Sequence, residues 1–257
     1  MSAHPRVNEK GQFCPLPGTT VISAIQESDL QFWREVYDQL KKSPTICQYY
    51  ALLPPRSYHM TGISLDTIDD LPENEDWIAF IDKKILSYSA LYNALSVQPI
   101  SPQIKFDFLS ELNLIVLHVE LSSEQKSKIQ KLAEQHNCSS GVPISFHITL
   151  AYQYNKNLTD EDYDKIDTEL TSLRDMFKGK RTTLSPLKLC YFDDMTRFTP
   201  WDGTTNPFIP FLSSYFYRFY NTVKIVGERL CCNNNLFNNN DTVLPLPSEN
   251  GCVSKMS

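Results

Sequence analysis

Two short segments of the chain repeat each other. Ser57-Tyr58-His59-Met60-Thr61 and Ser145-Phe146-His147-Ile148-Thr149 both read Ser, aromatic, His, apolar, Thr, and they lie 88 residues apart. In a strand, alternate side chains share a face. Ser57, His59 and Thr61 are therefore expected to point one way, with Tyr58 and Met60 entering the opposite layer. The second copy divides in the same manner. A single His-x-Thr is most simply a satisfied core histidine; the matched pair is not explained so easily. Two such strands side by side would bring two imidazoles and two hydroxyls around one cavity. Phosphodiester cleavage needs one group to take a proton from the nucleophile and another to protonate the leaving oxygen. Imidazole, with an ordinary pKa of ~6.5, can serve in either role near neutrality. Hydroxyls two residues away can donate to non-bridging phosphate oxygens. This chemistry calls for no metal or other cofactor.

The elements that must position these segments alternate between strand and helix. Ser28-Asp29-Leu30-Gln31 resembles a capping box, followed at helical spacing by Leu30, Trp33, Tyr37 and Leu40. Cys47–Leu53 and Ser57–Leu65 read as strands. Pro72 and the acidic run after it open a long helix carrying Trp77, Phe80, Ile81, Ile85, Tyr88 and Leu95. Leu112–Leu121 reads as a strand, Ser122 starts a helix with Ile129, Leu132 and Ala133, and Ile144–Tyr152 reads as a strand. Thr159 caps a helix containing Ile166, Leu170, Leu173 and Phe177. Leu187–Phe198 reads as a last strand with a turn at Asp193-Asp194. The mixture predicts an α+β or α/β fold.

The composition fits a globular chain. Hydrophobic residues make up 41% of 257 residues and charged residues 21%, enough for a core. The net charge of −6 argues against duplex DNA as a partner, because such binding needs a broad basic surface. A small nucleotide in one pocket remains compatible with it. Seven dispersed cysteines without CxxC suit a reducing, cytoplasmic setting. No membrane span and no secretory signal are expected. Residues 1–12 read as a flexible N-terminus, and residues 231–257, with six Asn between 233 and 240, as a disordered tail.

Other candidate residues carry cooler readings. His118 shares a face with Leu114 and Val116 and reads as a core or sheet-edge histidine. His136 reads as a helix C-terminal cap. Tyr152 could stack a base, and Arg56 could meet a second phosphate. The aromatic run Phe211–Val226 reads as a helix packed on the domain, with a membrane-surface helix as the alternative.

His59-Met60-Thr61 and His147-Ile148-Thr149 resemble the signature of the two-histidine phosphoesterase superfamily, which includes the LigT-like RNA cyclic phosphodiesterases. The stretches Leu53–Thr61, Phe146–Tyr152 and Leu189–Met195 are similar to an uncharacterised branch of it. Gly62 departs from the signature, which has an apolar residue there; it should point away from the cleft. The resemblance covers roughly residues 13–210 and implies an α+β, bilobal fold. Two pseudo-symmetric lobes with antiparallel sheets would then surround a central cleft, in a phosphodiesterase domain over residues 13–230. It implies His59 and His147 as the acid–base pair, with Thr61 and Thr149 holding the phosphate. His59 is taken as base and His147 as acid, an order the matching motifs do not decide. The implied substrates are 2′,3′-cyclic phosphates, 2′–5′ oligonucleotides, or a cyclic dinucleotide with a 2′–5′ bond such as cGAMP. A monomer acting on a nucleotide, a cyclic dinucleotide or short RNA is expected. The rival reading is a sponge or sensor that binds such nucleotides without cleaving them.

Overall fold

Helices begin where side chains satisfy the free N–H groups of their first turns. Ser43 Oγ accepts from the Ile46 amide at 2.9 Å, with Pro44 opening the helix. Asp76 accepts from the Ile78 and Ala79 amides. Ser122 and Gln125 form a reciprocal capping box. Thr159 and Asp162 cap one another in the same reciprocal way. The computed structural model describes residues 5–97, 100, 103–111, 113–177 and 181–209. Its helices are α1 (Leu30–Lys42), α2 (Pro44–Tyr49), α3 (Trp77–Val97), α4 (Ser123–Gln135) and α5 (Asp160–Phe177).

The strands are β1 (Gly18–Ala24), β2 (Tyr50–Leu52), β3 (His59–Thr67), β4 (Gln103–Glu111), β5 (Leu114–Val119), β6 (His147–Gln153), β7 (Arg181–Thr183), β8 (Lys188–Phe192) and β9 (Phe198–Pro200). They form one antiparallel sheet in the order β7-β4-β5-β6-β3-β1-β8-β9, with β2 also paired to β6. The fold is α+β. The two strands that carry the repeated segments, β3 and β6, are neighbours at its middle. Their odd-numbered residues His59, Thr61, His147 and Thr149 are half-buried. Met60 and Ile148 between them are wholly buried in the layer behind, as is Tyr58, whose ring meets Trp33 edge-on.

Several expectations are corrected. No capping box forms at Ser28: a 3-10 turn over Glu27–Asp29 leads into α1, and Asp29 makes no side-chain cap. Cys47–Tyr49 is helical, because the Ser43-Pro44 start is stronger than the strand character of the aromatic residues. Strand β3 begins at His59, so Ser57 lies in a preceding 3-10 turn, where its hydroxyl donates to the Pro54 carbonyl at 2.8 Å. The apolar stretch expected from Leu112 is the second arm of a hairpin, β4–β5. Leu187–Phe198 contains β8, the expected turn and the start of β9. Helices α4 and α5 agree with the sequence reading, and His136 is the C-cap of α4. Helix α3 carries the expected apolar residues but starts at Trp77, behind the Asp76 cap, rather than at Pro72. The residues up to Phe208 form one contact unit. Phe211–Val226 and the 231–257 tail lie outside the described residues. No helix among the described residues is long and apolar enough to cross a membrane.

Candidate active site

The pairing of β3 with β6 centres on Met60 opposite Ile148. An antiparallel register about that point brings His59 towards Thr149 and Thr61 towards His147. Both strands then bulge one residue after the threonine. Val21 pairs with Ile63 and Ile22 with Thr61, which leaves Gly62 as the extra residue of β3. Ile115 pairs with Ala151 and Val116 with Thr149, which leaves Leu150 as the extra residue of β6. A bulge bends its strand and re-aims the side chains beyond it. Ser64 therefore returns to the face of Thr61, and Tyr152 to the face of Thr149. His59, Thr61, Ser64, His147, Thr149 and Tyr152 all line one cavity of about 460 Å³. Gly62 is buried and absent from that lining; a Cβ there would lie 2.7 Å from Leu187 Cδ2. The departure from the signature thus accommodates a neighbour behind the sheet.

His59 is held in a defined state. Its Nδ1 lies 2.6 Å from the Ser57 carbonyl oxygen, and a carbonyl can only accept, so Nδ1 carries the proton. Nε2 is then the basic nitrogen of a neutral ring. The Phe198 ring covers the imidazole, with centroids 4.0 Å apart. Burial lowers the His59 pKa to about 4; the Ser57 bond opposes this, and the charge of His147 adds to it. The two histidines therefore sense each other electrically. His59 stays neutral at neutral pH.

Thr149 and Tyr152 share a side-chain hydrogen bond. Burial raises the Tyr152 pKa, opposed by the charge of Arg6 and by that bond. Ser145 also lines the cavity, and its Oγ is 3.2 Å from His118 Nδ1. His118 pairs with His147 across β5 and β6, so it stands on the face of the cavity behind Ser145. The expected core or edge histidine is thus a supporting neighbour of the site.

Four of the predicted residues, His59, His147, Thr61 and Thr149, meet here, and Tyr152 joins them. Arg56 does not line the cavity. It is exposed and grips Glu27 with both terminal nitrogens, at 2.8 and 3.3 Å. A different arginine does line it: Arg6, whose Nη1 lies 3.4 Å from Asp69. Sequence reasoning passed over Arg6 because it sits in a polar, aperiodic terminus. That segment is fastened by a bridge between Val7 and Phe13, and Val7 is buried. The alternation of a buried Val among polar residues was a faint signal at best. Phe198 and the Ser140–Pro143 loop were also missed, since nothing local marks them as neighbours of His59.

Residues 6–89 match the family model described as "2H-phosphodiest: Domain of unknown function (DUF1868)". The uncharacterized protein 127L of Invertebrate iridescent virus 6 is 27% identical over 224 residues, spanning 77% of this chain and 94% of that protein. The crystal structure of a conserved protein of unknown function from Agrobacterium tumefaciens shares the fold. Its TM-score is 0.54 at 20% identity, covering 77% of this chain and 90% of that one. The apo structure of Escherichia coli LigT aligns at a TM-score of 0.43 and 14% identity, over 72% of this chain and 95% of that one. The two His-x-Thr strands lie side by side, the family match runs through the first of them, and over residues 6–89 the chain is similar to the two-histidine phosphodiesterase family.

Proposed function

We propose that the protein is a metal-independent phosphodiesterase that cleaves nucleotide phosphodiester bonds, with His59 as base and His147 as acid. The observation that carries this is the meeting of both His-x-Thr pairs in one cavity. The order of roles rests on His59, whose proton sits on Nδ1 and whose Nε2 is free to accept. In hydrolysis of a 2′,3′-cyclic phosphate, Nε2 takes a proton from water as the water oxygen bonds to phosphorus. The bond from phosphorus to one ribose oxygen breaks, and that oxygen takes a proton from His147. The products are a phosphate monoester and a histidine pair with its protons exchanged. In 2′–5′ oligonucleotides or a 2′–5′ containing cyclic dinucleotide, a neighbouring ribose hydroxyl can replace water as the attacking group. Thr61 and Thr149 donate to the non-bridging oxygens, where charge accumulates.

The finer architecture belongs to the same proposal. The sheet halves β7-β4-β5-β6 and β3-β1-β8-β9 each contribute one motif strand to the middle. They support a reading as two lobes within a domain over residues 13–230, followed by the 231–257 tail.

The test is a turnover assay in excess EDTA with 2′,3′-cyclic mononucleotides, 2′–5′ oligoadenylate and a cyclic dinucleotide holding one 2′–5′ bond. Cleavage of at least one is expected, with His59→Ala and His147→Ala each losing about 10²–10⁴-fold. Binding without any turnover would overturn the enzyme in favour of a nucleotide sponge.

A further inference from the structure

The cavity of the two histidines adjoins a second, larger groove. Arg6 and Tyr152 line both. The groove has a volume of about 1180 Å³, above the ~300–1,000 Å³ common for a small-molecule site. A cyclic mononucleotide would be served by the first cavity alone. The second is built by continuation of the same strand: β6 runs from His147 through Thr149 and Tyr152, then into Gln153 and residues 154–157. Strand β2 pairs with its end, Tyr50 opposite Gln153, which brings Gln48 to the groove wall. The N-terminal segment from Pro5 to Glu9 supplies the other wall.

The chemistry of the groove differs from that of the cavity. Side-chain amides are its commonest polar groups: Asn8, Gln48, Asn113, Gln153, Asn155 and Asn157. The Gln48 amide nitrogen donates to Tyr49 Oη, that of Gln153 donates to the Asn155 carbonyl, and Asn155 Oδ1 accepts from the Asn157 backbone N–H. This leaves the Gln48 and Gln153 oxygens as acceptors, and the Asn113 and Asn157 amides as donor–acceptor pairs, for a nucleobase edge. Tyr154 forms a fixed aromatic wall, its hydroxyl donating to the Cys47 carbonyl at 3.1 Å. Its charged members are Lys156, Arg6 and Glu9, so the cationic side chains exceed the anionic by one. Arg6 stands at the junction, where a phosphate flanking the scissile one would pass, and its contact with Asp69 keeps it there.

We propose that this groove is a second-nucleotide subsite, and that the substrate is a dinucleotide or short oligonucleotide rather than a cyclic mononucleotide. The proposal rests on the reading of the histidine cavity as the phosphodiester centre. The scissile phosphate lies between His59 and His147. The next nucleotide extends past Tyr152, its base against the amides and its backbone charge near Arg6 and Lys156.

The test measures affinity separately from turnover. The full-length His147→Ala protein, in EDTA, is titrated with a dinucleotide that carries a terminal phosphate beside its internucleotide phosphate and with a 2′,3′-cyclic mononucleotide. The dinucleotide is expected to bind at least tenfold more tightly. Adding Gln48→Ala and Lys156→Glu together should reduce that ratio towards one. Circular dichroism of the variant checks that it is folded, and a single Asn113→Ala variant, at an exposed position, should shift the ratio in the same direction. A ratio near one in the parent, or a ratio that neither change alters, overturns the subsite. Absence of turnover by the unmutated protein with the ratio intact would sink the proposed activity while leaving the subsite standing.

Discussion

His59 shows how one residue acquires a role that its twin in the sequence does not announce. Its neutral state comes from burial under Phe198, and its tautomer from the Ser57 carbonyl. As the proposed base, a ring with a pKa of about 4 is available at every pH above that value. The acid limb of the kcat/KM profile should therefore centre near pH 4, well below the ~6.5 of free imidazole. Because the two histidines interact, the limb is a property of the pair. Phe198→Ala admits water to the ring and should move the limb upward, towards 6.5; a limb that stays in place would contradict burial as the cause. The same shift acts on stability. Between pH 6.5 and about 4 the unfolded chain binds a proton at this position that the folded chain refuses. Stability must then fall as pH drops through that window. His59→Gln should flatten this part of the slope in urea titrations. Asp193 has the opposite sign. Burial first, and the charge of Asp194 second, raise its carboxyl pKa to about 6, against the pull of Arg197. Its Oδ1 is buried with no hydrogen-bond partner. The unfolded chain releases that proton at lower pH, so the folded state loses stability as pH rises from about 4 to 6. Asp193→Asn should raise Tm more at pH 7.5 than at pH 5.

At the scale of elements, the site depends on bulges and on one loop. The bulges at Gly62 and Leu150 carry the face of each threonine on to Ser64 and Tyr152. The Ser140–Pro143 loop closes a wall of the cavity over β3. It approaches so closely that a Cβ on Gly141 would fall 1.9 Å from the Ser64 carbonyl oxygen. Neither backbone can yield that distance without moving. Gly141→Ala should cost about 1–3 kcal/mol and raise KM on displacing the loop, as read by thermal unfolding and steady-state kinetics. These features also mark the limits of sequence reading. Helices α4 and α5 were legible because their caps are local: Ser122 with Gln125, and Thr159 with Asp162. The motif strands were legible because their residues repeat. Strand β1 was not, although it lies between β3 and β8. Six of its seven residues are buried, so it has no apolar–polar alternation to read. Its Thr20 hydroxyl is satisfied by the Ile63 carbonyl and its Thr19 hydroxyl meets Tyr88, partners far away in the chain. Arg6 was hidden for a related reason: only the folded chain brings its terminus to the histidines.

Over the whole molecule, charge and topology lead to the same expectation about ligand size. The full chain carries a net charge of −6, so its overall field repels an anionic substrate. Attraction must come from within the cleft, where Arg6 and Lys156 are the cationic side chains among the described lining residues. Binding that neutralises one or two phosphates releases correspondingly few counterions. The affinity of the His147→Ala protein for a dinucleotide should therefore fall with a log–log salt slope of about −1 to −2. Lengthening the ligand beyond what the two compartments hold should add little, because a chain with a net charge of −6 gives further phosphates no general attraction. A polyanion binder held by a broad basic face behaves differently: its slope steepens with every added nucleotide. Titrations of a dinucleotide, a tetranucleotide and an octanucleotide between 50 and 500 mM salt separate the two cases. Slopes that stay near the dinucleotide value fit recognition at the junction of the two cavities. Slopes that grow with length would place the binding energy on a surface outside them.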